Sequence, residues 1–107
     1  MDNVNDIIQS IKKDIADNAV ILFMKGNPDM PRCGFSAKAV QILNACEAKF
    51  ASVDVLEQPE VRQFLPQVSN WPTFPQLFVN GELIGGCDIM TELYENGELE
   101  KILSAIS

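Results

Sequence analysis

The chain has 107 residues, 47% hydrophobic and 21% charged, which is enough for one compact core and not for two. Eight basic residues against fifteen acidic ones give a net charge of −7, which disfavours nucleic acid as a partner. The absence of histidine excludes Ser-His-Asp triads, His-based zinc sites and imidazole proton shuttles, and three widely spaced cysteines do not suit a secreted disulfide framework. The longest unbroken apolar run, Ala19 to Met24, falls far short of the roughly 18 residues of a bilayer span, so no membrane association is expected. The opening residues, with Asp2 and Asp6, show neither an apolar export core nor an Arg-rich amphipathic start, and a cytoplasmic location is the expectation.

Helical spacing of Val4, Ile7, Ile8, Ile11 and Ile15 predicts an amphipathic helix from about Asn3 to Asp17, followed by a buried strand over Ala19–Met24. Gly26-Asn27-Pro28-Asp29-Met30-Pro31 forces a loop. A second helix begins near Cys33, with Ala39, Ile42, Leu43 and Cys46 on its inner face. The alternation at Ala51, Val53 and Val55 then predicts a strand, parallel to the first. Pro59 suits the first turn of a third helix, and Pro66 should end or kink it. Trp71-Pro72-Thr73-Phe74-Pro75 cannot be helical. Gln76–Val79 and Glu82–Ile84 flank Asn80-Gly81, a strong hairpin signal, and Gly85-Gly86 ends the second arm. Asp88 is a candidate cap for a fourth helix ending at Asn96-Gly97, and Leu99, Ile102, Leu103 and Ile106 mark a short last helix.

A βαβ unit followed by a hairpin and helices, with a cysteine where the first strand's loop enters a helix, is the thioredoxin-like arrangement. The expected fold is α/β, a four-stranded mixed β-sheet flanked by helices, in one domain over 1–107. Cys33 sits at its chemical focus, where free N–H groups and the positive end of the helix dipole favour thiolate, and Lys25 and Arg32 add charge of the same sign. Ser36 occupies the place of the second thiol of a C-x-x-C motif and cannot form a disulfide, so dithiol reduction through that motif is blocked. Its own role is more simply that of a first-turn serine satisfying backbone donors.

Cys33-Gly34-Phe35-Ser36, together with Lys25-Gly26, Trp71-Pro72-Thr73-Phe74-Pro75 and Gly85-Gly86-Cys87-Asp88, resembles the CGFS-type monothiol glutaredoxins over nearly the whole chain. Asn27 stands where that family often has Ser or Thr. The resemblance implies a glutathione site and a bridging [2Fe–2S] cluster. It places glutathione along Phe74 before a cis Pro75, although only about 5–6% of X-Pro bonds are cis in general. It places Lys25 and Arg62 at the glycyl carboxylate, and Asp88 with the N-terminal amides of its helix at the γ-glutamyl group. Taken singly, Lys25 and Arg62 read as solvated charges and Asp88 as a cap. Phe35 either shields the sulfur or packs, and Trp71 shapes the pocket without a ligand contact of its own. Cys87 is a glutathione contact through its backbone, a second redox thiol or a packing residue, and the first of these is favoured. Pro75 and Gly86 are structural, and Cys46 belongs to the core.

A [2Fe–2S] cluster takes four ligands, and without histidine a Rieske-type substitution is excluded. One Cys33 from each of two chains plus two glutathione thiolates make four, so cluster binding implies a glutathione-dependent homodimer and suits delivery to apo iron–sulfur proteins. The alternative is a glutathione-dependent oxidoreductase in which Cys33 attacks a glutathionylated protein. A third reading, also from the resemblance, is a regulatory module completed by a BolA-type partner.

Overall fold

The computed structural model describes residues 4–106. The apolar stripe of the first segment forms α1, Val4–Asp17, with Ile11 and Ile15 buried; the expected start at Asn3 lies outside the described residues. Then come β1 (Val20–Met24), β2 (Gly26–Asn27), β3 (Met30–Pro31) and α2 (Gly34–Ala45). They are followed by β4 (Ala51–Asp54), α3 (Pro59–Ser69), β5 (Gln76–Val79), β6 (Glu82–Gly85), α4 (Cys87–Glu95) and α5 (Glu98–Ser104).

Four strands form one mixed sheet in the order β4-β1-β5-β6. The βαβ expectation holds: β1 and β4 are parallel, with Ile21 opposite Ala51 and Met24 opposite Asp54, while β5 lies antiparallel on the other side of β1. The Asn80-Gly81 turn closes the hairpin with both residues at positive φ, 51° and 82°, the signature that suits the twist of a two-residue connection.

All five residues of β1 are buried, as expected of a central strand covered on both faces. Alternation sends Val20, Leu22 and Met24 into a core with Ile42, Leu43, Met90 and Leu99, beneath α2, α4 and α5. Ile21 and Phe23 enter a second core with Ile11, Val61, Leu65 and Phe78, beneath α1 and α3. There the Phe23 and Phe78 rings meet edge to face at 5.7 Å.

Four local expectations are corrected. The Gly26–Pro31 loop contains a two-residue ribbon, Gly26 opposite Pro31 and Asn27 opposite Met30; the Asn27 side-chain oxygen accepts the N–H groups of Asp29 and Met30 at 2.9 Å and closes its turn. Pro66 does not end the third helix, which continues to Ser69 and stops at Asn70 in the left-handed region, φ 56°. Pro66 withdraws only the N–H that would reach the carbonyl of Arg62, an exposed residue, so one further turn survives. Asp88 is not the cap of α4. Gly86 is, because the chain leaves β6 through Gly85 at φ 141° and enters the helix at once, leaving Asp88 in the first turn. Cys46 is the C-cap of α2, half-buried and packed against the edge of the core rather than inside it.

Candidate functional site

The switch from β1 to α2 builds the site. Gly26, at φ 87°, turns the chain out of β1, and a Cβ there would fall on the Met30 carbonyl and the Arg32 main-chain nitrogen. The Asp54 carboxylate at the end of β4 accepts the Gly26 N–H at 3.0 Å, and the Lys25 carbonyl accepts from Arg32 N–H at 2.9 Å. The ribbon is thereby pinned at both ends, and it delivers Cys33 to the N-cap of α2 in an extended conformation.

The Cys33 sulfur stands before the open end of α2 without the geometry of a full capping hydrogen bond. Partial burial pushes its pKa up. The N–H groups of Ser36 and Phe35, the Ser36 hydroxyl and the charge of Lys25 together outweigh that effect, and the thiol is held below its ordinary range. Arg32 is not among these causes, so of the two cations expected to act on the thiol, Lys25 is the one that does. Ser36 is fully buried beneath the site, where its oxygen accepts the Lys25 main-chain N–H at 3.1 Å. It therefore ties the end of β1 to the first turn of α2, the backbone-satisfying role expected of it.

In front of Cys33 lies a cleft of about 460 Å³. Lys25, Cys33, Phe35, Arg62, Phe74, Pro75, Gly86, Cys87 and Asp88 all line it, so residues from five separate segments converge as the sequence reading expected. The Phe74–Pro75 bond is cis. Phe74 lies outside the sheet, and its main-chain N–H and C=O have no partner among the described residues. Gly86 lets two segments close up: a Cβ there would stand 3.2 Å from the Pro75 carbonyl oxygen and 3.3 Å from the Trp71 indole nitrogen. Cys87 is buried at the first position of α4, and all three cysteines are free thiols. Burial first, and Glu100 second, raise the Cys46 pKa, and Cys46 lies outside the cleft.

Three cleft-lining residues, Pro72, Thr73 and Ile89, and one residue that supports the cleft from inside were missed. Thr73 lines the cleft beside Trp71 and Pro72. Gln76, fully buried, donates from its side-chain nitrogen to the carbonyls of Trp71 (2.8 Å) and Thr73 (3.1 Å), and so shapes the segment that presents Phe74. Its signal was a polar residue opening the apolar run Leu77-Phe78-Val79.

The sequence pattern of the family described as Glutaredoxin matches residues 20–84. A relative named Glutaredoxin 4, from Buchnera aphidicola subsp. Baizongia pistaciae, is 56% identical over 101 residues, covering 94% of each chain. The chain belongs to the glutaredoxin family. With Ser36 in the place of the motif's second cysteine, it is a glutaredoxin of the monothiol kind. The solution structure of reduced poplar apo GrxS14 superposes with a TM-score of 0.84 at 44% identity, covering 97% of this chain and 96% of that one. A buckwheat glutaredoxin–glutathione complex superposes equally well, TM-score 0.84, over 96% of this chain and 92% of that one; at 21% identity it speaks for the fold alone. The glutaredoxin reading and the thioredoxin-like fold of the sequence analysis thus both hold. No helix among the described residues is long and apolar enough to cross a membrane.

Proposed function

We propose that this glutaredoxin binds glutathione in the cleft and, as a homodimer, carries a [2Fe–2S] cluster in the cytoplasm to apo iron–sulfur proteins. The observation that carries this reading is the convergence, in one cleft, of a single thiolate-favouring cysteine with groups complementary to a small anionic peptide. Lys25 and Arg62 suit its glycyl carboxylate, and the free backbone of Phe74 suits pairing with its main chain as an added strand. At the other end, Asp88 suits the γ-glutamyl amine and the open amides of α4 its carboxylate. Cys87 belongs to that end through its main chain.

The donor set also fits a shared cargo. Among the described residues no three Cys, Asp or Glu side chains converge as a metal site, so an iron–sulfur cluster held at Cys33 draws its other ligands from outside the chain. The Cys33 thiolate of a second copy and two glutathione thiolates supply the remaining three, or a BolA-type partner replaces part of the set. Anaerobic reconstitution with iron and sulfide, with and without glutathione, tests this through visible absorbance, oligomeric mass and transfer to an apo-ferredoxin. A coloured dimer only in the presence of glutathione is the expected result, and a colourless monomer under both conditions overturns the carrier reading.

The partial exposure of the Cys33 thiol favours a second reading, glutathione-dependent thiol exchange. Its thiolate attacks the glutathione sulfur of a mixed disulfide, the target leaves as thiolate, and a second glutathione releases the first as glutathione disulfide. Rapid turnover of such a disulfide, abolished by Cys33→Ser, would put this reading first.

A further inference from the structure

The two most exposed large apolar side chains with a place beside the cleft are Phe35 and Met30, 63% and 59% exposed, two residues after Cys33 and three before it. Neither is needed by the core. Phe35 stands on the first turn of α2, and Met30 on the ribbon strand β3. Around them the chain, although its net charge is −7, gathers half of its eight basic residues: Lys25, Arg32, Lys38 and Arg62. Arg32 is held beside Lys25 by its main-chain bond to the Lys25 carbonyl, and Lys38 follows Phe35 by three positions on α2. The nearby carboxylates are Asp29 in the ribbon turn, Asp88 in the cleft, Glu95 in the groove beside Lys38, and Asp54, whose oxygen is taken up by the Gly26 and Leu56 N–H groups. Much of the acidic excess lies farther along the chain, with Glu92, Glu98 and Glu100 on α4 and α5 before the first cation, Lys101.

Exposed aromatic, Met and Arg side chains gathered round a reactive group mark the composition of a protein interface core, and complementary charge sets partner choice and encounter rate. We infer that the collar formed by Met30, Arg32, Phe35 and Lys38 docks protein partners that present their cysteine from an acidic surface with apolar side chains next to it. In the homodimer proposed above the cluster and two glutathiones stand between the collars; a second copy without them sets like charges opposite and is not the occupant. The inference rests on the function proposed above only in taking Cys33 as the reacting thiol.

The global and local charges predict opposite signs, which makes the test decisive. Two short peptides, each with one cysteine flanked by leucines, carry either Asp and Glu or Lys beyond them, and both are activated as mixed disulfides with 5-thio-2-nitrobenzoate. The Cys33 thiolate attacks the peptide sulfur, a Cys33–peptide disulfide forms, and the nitrobenzoate thiolate leaves with the bonding pair and is followed by its yellow absorbance. Neither glutathione nor a cluster takes part, so this inference and the carrier reading can fail separately.

The acidic peptide is expected to react about tenfold faster at low salt, with the preference collapsing at high salt. Arg32→Gln should cut the preference between the two peptides about threefold, and should slow the disulfide of 2-mercaptoethanol with the same leaving group, whose single carboxylate all three substrates share, far less than the acidic peptide. Met30→Ser should slow both peptides alike and spare the small disulfide. Equal rates for the two peptides, or a faster basic one, would show that the overall negative charge governs encounter and would overturn the inference. Release that persists in Cys33→Ser would overturn it as well, by moving the reaction to another thiol.

Discussion

Ser36 matters by what it is as well as by the thiol it replaces. Its oxygen is engaged by the Lys25 N–H, while its own hydroxyl favours the Cys33 thiolate. Ser36→Ala removes both effects and is expected to lower the rate of alkylation of Cys33 by iodoacetamide near neutral pH several-fold, as the thiolate fraction falls. An unchanged rate would assign the depression to the helix N–H groups and Lys25 alone. The same depression links the thiol to stability. Because Cys33 titrates lower folded than unfolded, its contribution is full above the unfolded thiol's range and is lost as pH falls through the folded value. The gap in urea midpoint between the protein and Cys33→Ser should therefore widen as pH rises through that window. Gln76 acts at the same scale. Two carbonyl acceptors fix its amide orientation, and Gln76→Met leaves the Thr73 carbonyl without its donor and the Trp71 carbonyl with only the longer 3.5 Å bond from the Ser69 hydroxyl, at a cost of about 1–3 kcal/mol in stability, readable by urea denaturation. Part of that cost is offset, because the Gln76 side-chain oxygen is itself buried without a partner.

At the scale of elements, the ribbon between β1 and α2 sets where Cys33 lands. Gly26→Ala would force a left-handed backbone on alanine and drive its methyl group into main-chain atoms of Met30 and Arg32, which cannot step aside as a flexible side chain can. A loss of about 2–3 kcal/mol is expected, together with slower alkylation of Cys33 as α2 loses its entry geometry. Gly81→Ala, also at positive φ but with open space around it, should keep the alkylation rate. This ribbon was invisible in the sequence because its strands are two residues long, too short for any period, and its turn depends on the Asn27 side chain reaching backbone donors. Elements with several turns or alternations were legible: the stripe of α1, the buried run of β1 and the Asn80-Gly81 hairpin. The misread ends were those decided by one backbone angle, Gly85 ahead of α4 and Asn70 after α3. The cleft residues were legible because their motifs lie at loop-to-helix junctions. Gln76 was not, because a side chain that holds a loop from inside the sheet leaves no motif of its own.

For the molecule as a whole, the sheet separates two cores that share β1 and β5 but not their covering helices. Arg62 reaches the cleft from α3 on one face, while Cys33, Cys87 and Asp88 come from α2 and α4 on the other. The site thus spans both layers, and its geometry depends on each being packed. Ile11→Val, 1% exposed on the α1–α3 side, and Ile42→Val, 5% exposed beneath α2, should each cost about 0.5–1.5 kcal/mol. Combined, they should sum to within about 0.5 kcal/mol by urea denaturation, since the two side chains lie in separate clusters on opposite faces of the sheet. A larger coupling would mean that strain passes through β1. In that case a change under α3 would disturb Cys33 as well as Arg62, and the alkylation rate of Ile11→Val would fall with its stability. Additive stabilities with an unchanged Cys33 rate in Ile11→Val would instead show that the sheet insulates the thiol from the layer that supplies its distant cation.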